Sequence, residues 1–119
     1  MKTILVIDDS QDVRELIGDA LAARGFAVLL AGDGLEGLEL AQEHSPDLIL
    51  CDVRMPQFDG HATLAALQEV PGTSMIPFVF LSGESDTEIF RKTLSKDQYL
   101  PKPFTLSELL AIVQKRLST

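Results

Sequence analysis

The stretch Leu48-Ile49-Leu50-Cys51-Asp52-Val53-Arg54-Met55-Pro56 runs apolar into a single aspartate and then breaks at a proline. An uninterrupted apolar run of this length is the pattern of a strand buried on both faces, as in the middle of a parallel sheet. Asp52 then stands where that strand ends. In open α/β sheets, ligands bind outside the carboxyl ends of the strands.

The same alternation extends in both directions. Before it, Ile4 to Ile7 reads as a first strand ending at Asp8-Asp9, and Ser10 or Asp9 can cap the helix that follows. Val13, Leu16, Ile17, Ala20 and Leu21 share one face of that helix, and Gly25 ends it as a left-handed cap. Phe26 to Ala31 is a second strand, and Asp33-Gly34 starts a helix running to about His44. After the central strand, Gly60 opens a third helix with Leu64 and Leu67 inward, stopping before Pro71-Gly72. Ile76 to Leu81 is a fourth strand ending at Ser82-Gly83, and Asp86 to Leu94 a weaker fourth helix. Gln98 to Leu100 is a short fifth strand before Pro101-Lys102-Pro103. Thr105-Leu106-Ser107-Glu108 is a capping box for the last helix, with Leu106, Leu109, Leu110, Val113 and Leu117 on its core face.

Five strands alternating with five helices predict right-handed crossovers and a parallel sheet covered on both faces. All strand ends then share one edge. Asp8, Asp9, Asp52, Ser82 and Lys102, far apart in sequence, are expected to meet there.

The 119 residues suit a single domain, expected over 1–119. No apolar run is long enough for a membrane span, and the N-terminus lacks the pattern of a signal peptide. One cysteine excludes an internal disulfide, so a cytoplasmic chain is expected. A net charge of −8 argues against direct nucleic-acid binding by this domain.

Three carboxylates brought close repel one another, which raises a pKa or costs stability. A hard divalent cation relieves this, and Mg²⁺ prefers a few carboxylates, waters and a phosphate oxygen. A carboxylate beside such an ion and an ammonium group is a plausible nucleophile toward phosphorus, giving an aspartyl phosphate. Lys102 would neutralise charge on the transferring oxygens while a hydroxyl and backbone N–H groups hold the rest. No Gly-rich nucleotide loop is present, so the phosphoryl donor is expected to be another molecule.

Four motifs in order carry a resemblance: Asp8-Asp9, Asp52-Val-Arg-Met-Pro56 with Asp59-Gly60, Ser82-Gly83, and Lys102-Pro103-Phe104. With them the chain resembles a response-regulator receiver domain of two-component signalling. That family implies a flavodoxin-like three-layer sandwich, with a five-stranded parallel sheet of order 2-1-3-4-5 and five helices. It implies Asp52 as phosphoacceptor, taking its phosphoryl group from a sensor histidine kinase or a histidine phosphotransfer protein. Asp9, Asp52 and the backbone carbonyl of Arg54 would hold Mg²⁺, with Mn²⁺ as a substitute, and Asp8 would act mainly through a metal-bound water. Ser82, Gly83 and Lys102 would surround the phosphate. Ser82 and Tyr99 would be the switch pair, Tyr99 turning inward on activation, and the Lys102–Pro103 bond would be cis. A changed face of helix 4, strand 5 and helix 5 would reach an output partner or a fused effector domain, the domain being a monomer or a phosphorylation-dependent dimer.

Departures from the family pattern set further expectations. Ser82 and Lys102 stand closer in sequence than is usual, and Ser95-Lys96 replaces the usual Gly-Ala, which predicts a short or shifted helix 4. Arg54 and Glu84 are expected to pair across the opening and slow the entry of water.

Each residue also has an ordinary reading. Asp8-Asp9 could be only a helix cap, Ser82 a turn residue, Lys102 a solvated loop lysine, and Tyr99 a half-buried strand aromatic. Cys51 reads as a small apolar residue, His44 and His61 as surface histidines, and Asp33-Gly34 and Asp59-Gly60 as cap chemistry. A flavodoxin-like electron carrier would need a Ser/Thr/Gly-rich loop where Asp8-Asp9 stand. An aspartate-nucleophile phosphatase would need a second Asp where Arg54 stands. A degenerate receiver that only docks partners is the alternative within the family.

Overall fold

The structure, a computed structural model, describes residues 1–118. Strands β1 (Thr3–Ile7), β2 (Ala27–Ala31), β3 (Leu48–Asp52), β4 (Phe78–Ser82) and β5 (Tyr99–Pro101) alternate with helices α1 (Gln11–Ala22), α2 (Gly34–His44), α3 (Gly60–Gln68), α4 (Glu84–Thr93) and α5 (Leu106–Leu117). All pairings are parallel, in the order β2-β1-β3-β4-β5. The predicted order and element count hold.

Every residue of β3 and β4 is buried, as the apolar run predicts. Alternate residues face two separate cores. Ile4, Val6, Leu48, Leu50, Val79 and Leu81 pack against Ile17 and Leu21 of α1 and Leu109 and Val113 of α5. Leu5, Ile7, Ile49, Cys51, Phe78, Phe80 and Tyr99 pack against Ala41 of α2, Leu67 of α3 and Phe90 of α4. Burying both faces at roughly 25 cal/mol per Å² of apolar area makes the three central strands the most stabilised part of the fold.

The caps follow the sequence. Ser10, Asp33, Asp59 and Thr105 each accept a hydrogen bond from a backbone N–H of the first turn they cap. Ser10, not Asp9, caps α1, so the Asp9 carboxylate is not spent on the helix. The capping box at Thr105 and Glu108 is complete in both directions.

Four local expectations are corrected. Leu16 and Leu106, read as core-facing, are 70% and 50% exposed. Leu16 lies at the border of the α1 stripe and Leu106 in the first residue of α5, where the helix has not yet closed on the sheet. Gly25 has φ +91°, but α1 already ends at Ala23 in right-handed conformation. The left-handed residue serves the turn into β2, not the helix cap. The strand predicted from Ile76 begins at Phe78 and includes Ser82, because Pro77 lacks the N–H that a ladder needs. Helix α4 begins at Glu84, two residues before its expected start, and retains ten residues. A 3-10 turn over Lys96–Gln98, capped by Ser95, then leads into β5.

Candidate functional site

The carboxyl ends of the parallel strands bring the predicted residues to one edge. Asp8 follows β1, Asp52 ends β3, Ser82 ends β4 and Lys102 follows β5. Oxygens of Asp8, Asp9 and Asp52 lie within 4.8 Å of one another. Asp8 and Asp52 are buried, whereas Asp9 is exposed at the rim.

Asp8 is held on both oxygens. One accepts from the backbone N–H of Ser10 at 2.9 Å, the other from Lys102 Nζ at 3.1 Å. The Asp8 carbonyl accepts from the guanidinium of Arg14 at 2.8 Å. Lys102 Nζ also lies 3.4 Å from an Asp52 oxygen. One ammonium therefore faces two carboxylates, with a third close by.

The charge imbalance bears on Asp52 and Lys102. Burial pushes the Asp52 carboxyl above the usual aspartate range, and Asp8 and Asp9 add to this against the opposing pull of Lys102. For Lys102, burial acts downward but is outweighed by Asp8 and Asp52, which raise it above the ordinary lysine value. The set consists of hard oxygen donors with excess negative charge. Its chemistry fits a hard divalent cation.

Backbone packing fixes where Asp52 points. The Gly60 N–H donates to the Val53 carbonyl at 2.9 Å, and a Cβ on Gly60 would lie 3.0 Å from the Val53 Cα and run into the Asp52 carbonyl. Only glycine lets α3 start this close to the end of β3. The intervening loop keeps Gln57 at φ 68°, a left-handed position unusual for a side chain of that size.

Ser82 is fully buried, and its hydroxyl lies 2.6 Å from that of Thr87 in α4. Gly83 caps α4 with no side-chain hydrogen bond, and the space around its Cα is open. The Lys102–Pro103 peptide is cis, as expected, and the Lys102 N–H donates to the Ser82 carbonyl at 2.8 Å. That bond ties the lysine loop to the end of β4. Tyr99 is 7% exposed, with its ring centroid 5.7 Å from that of Phe90.

The expected partner of Arg54 is corrected. Its guanidinium grips Asp86 with two hydrogen bonds, 2.9 and 3.1 Å, not Glu84. Glu84 is the first residue of α4 and faces solvent, while Asp86 sits two residues on, turned under the first turn and buried. Asp86, Thr87 and Arg14 were not singled out from the sequence. The Arg54 partner of Asp86 is remote in the chain, and no spacing rule signals the shorter links of Thr87 to Ser82 and Arg14 to Asp8.

The remaining residues match their ordinary readings. The Cys51 thiol is buried, and burial together with Asp52 pushes its pKa far up, so it is packing rather than a nucleophile. His61 is exposed, though its ring lies 4.9 Å from that of Phe80. No helix among the described residues is long and apolar enough to cross a membrane.

Comparison with known proteins agrees with this architecture. The response regulator MprA of Mycobacterium sp. (strain KMS) is 39% identical over 109 residues, covering 91% of this chain and 47% of that protein. The transcriptional regulatory protein CpxR of Escherichia coli (strain K12) is 38% identical over 114 residues, covering 96% of this chain and 48% of that protein. The chain thus spans about half the length of these curated relatives. The chemotaxis response regulator CheY4 of Vibrio cholerae superposes with a TM-score of 0.87 at 31% identity, over 98% of this chain and 99% of that one. The family model "Response regulator receiver domain" matches residues 4–114. A match of that extent, on this fold and with this acidic pocket at its strand ends, makes the chain a member of the response regulator receiver domain family of two-component signalling.

Proposed function

We propose that the domain, spanning residues 1–119, is a phospho-accepting switch in which Asp52 takes a phosphoryl group from a histidine of a sensor kinase or phosphotransfer protein. The observation that carries this reading is the Lys102 ammonium, 3.1 Å from Asp8 and 3.4 Å from Asp52, beside a third carboxylate. A lone structural aspartate does not need such a setting.

Asp9, Asp52 and the carbonyl of Arg54 would hold Mg²⁺ or Mn²⁺, with Asp8 one water away. The ion would supply positive charge to the phosphoryl oxygens. Asp52 Oδ attacks phosphorus, the bond from phosphorus to the donor imidazole nitrogen breaks, and its electron pair stays on the imidazole. Ionised Asp52 is the reactive form, and Lys102 favours that form against burial. Lys102 then faces one phosphoryl oxygen, and the Ser82 hydroxyl with the backbone N–H of Gly83 faces another. Later attack by water on the aspartyl phosphate returns the carboxylate and releases phosphate, so the domain catalyses both its own labelling and its reset.

Moving Ser82 toward the phosphate changes its hold on the start of α4, and Tyr99, already packed on Phe90, holds the inward position. This is a population shift between two arrangements. The readout is a changed face of α4, β5 and α5 for an output partner or a fused effector domain, in the cytoplasm. Acetyl phosphate tests the reading. One phosphoryl group per chain should be acquired in MgCl₂ and none in EDTA, read by intact mass. A chain that stays unlabelled, or that labels equally in EDTA, contradicts it.

A further inference from the structure

Two neighbouring residues of α4 hold that helix against the site. Asp86 takes the guanidinium of Arg54 in a two-bonded grip at 2.9 and 3.1 Å. Thr87 takes the hydroxyl of Ser82 at 2.6 Å. Asp86 and Thr87 are both buried in the first turn of a helix whose cap, Gly83, offers no side-chain bond of its own. The two side-chain links therefore anchor the turn that the cap leaves loose. One runs to the loop after β3, the other to the end of β4.

The partners are unequal in burial. The Asp86 side chain is 8% exposed and that of Arg54 is 74% exposed. The carboxylate is fixed by the fold, whereas the guanidinium reaches it from the solvent side. Arg54 follows Asp52 by two residues, and Ser82 ends the strand paired with β3. A dianionic phosphoryl group on Asp52 is a stronger acceptor for a guanidinium than a single carboxylate. It also draws the Ser82 hydroxyl toward itself, and that movement breaks the 2.6 Å contact with Thr87 whichever hydroxyl donates.

We propose that Asp86 and Thr87 are positioning residues that form a double latch. They hold Arg54 and Ser82 away from Asp52, and a phosphoryl group opens the latch by claiming both partners together. The proposal rests on the phosphoacceptor reading of Asp52. Its thermodynamic consequence is specific. Bonds made only in the unphosphorylated arrangement lower the affinity for a phosphoryl group, so weakening them must raise it. A merely structural role has the opposite sign, since loosening α4 would weaken the site.

The test is a titration of the chain with beryllofluoride at fixed MgCl₂, followed by amide NMR and by the emission of Tyr99. That residue is the chain's one tyrosine, and there is no tryptophan. Thr87→Val and Asp86→Asn should each bind about three- to tenfold tighter than the wild type. Thr87→Ser, which keeps the hydroxyl, should match the wild type. Unchanged or weaker binding in both Thr87→Val and Asp86→Asn overturns the latch. Should Asp86→Asn not fold, Thr87→Val against Thr87→Ser decides alone. A wild type that does not bind beryllofluoride at all overturns the phosphoacceptor reading, and the latch with it.

Discussion

Asp52→Asn should lose all labelling by acetyl phosphate while, in metal-free buffer, melting at a higher temperature than the wild type. The first effect follows from removing the nucleophile, since a neutral amide oxygen is far less nucleophilic than a carboxylate. The second reverses the usual effect of mutation. Folding raises the Asp52 pKa, first through burial and then through Asp8. The native state therefore binds the Asp52 proton more tightly than the unfolded chain does. Stability from this group is complete below the ordinary aspartate value and is lost as pH rises through the raised native value. At neutral pH the ionised carboxylate is a net cost, which the neutral amide removes. Lys102 keeps Asp8 as a partner at 3.1 Å, so no buried charge is orphaned. A gain on the order of 1 kcal/mol is expected, or roughly 4 °C in Tm. Saturating Mg²⁺ should shrink the difference, because only the wild type gains fully from binding. Melts with EDTA and with MgCl₂ check this. A variant less stable than the wild type in EDTA would show that Asp52 is held by favourable contacts and carries no strain.

Lys102→Ala should keep the fold, lose about 2 kcal/mol of stability at neutral pH, and label about 100-fold more slowly. The lysine is the one cation within 4 Å of the Asp8 and Asp52 carboxylates among the described residues. Without it the fully buried Asp8 keeps only the Ser10 N–H on its carboxylate. The Lys102 pKa is raised in the native state, so its contribution is complete below the ordinary lysine value and is lost only as pH climbs through the native one. The wild type should thus be insensitive to this group across neutral pH. The variant should regain stability on acidification, as the crowded carboxylates take up protons. Melts from pH 4 to pH 8 and a time course of labelling read both effects. Wild-type rates would remove Lys102 from the mechanism, and a flat stability profile in the variant would remove the repulsion argument.

The parts of the fold visible in the sequence are those set by local rules. Leu48 to Asp52 is read to the residue because an unbroken apolar run has one home in an α/β sheet. The bounds of α2, from Gly34 to His44, and the capping box of α5 follow from side-chain chemistry within one helical turn. Periodicity falters where a stripe borders solvent, as at Leu16 and Leu106. It falters again at α4, whose mean hydropathy is low and whose glycine cap leaves no side-chain mark of the helix start. The convergence of Asp8, Asp9, Asp52, Ser82 and Lys102 is legible because parallel topology forces strand ends to one edge. The grip of Asp86 on Arg54 and of Thr87 on Ser82 is not, because it depends on how α4 docks.

The central claim is that Asp8, Asp9 and Asp52 repel one another until a divalent cation joins them. Calorimetric titration of the metal-free chain with MgCl₂ tests it most directly. The predicted result is one Mg²⁺ per chain, with affinity at least about tenfold lower in Asp9→Asn, where a ligand's negative charge is lost but the buried core is untouched. No uptake by the wild type, or equal uptake by Asp9→Asn, contradicts the account.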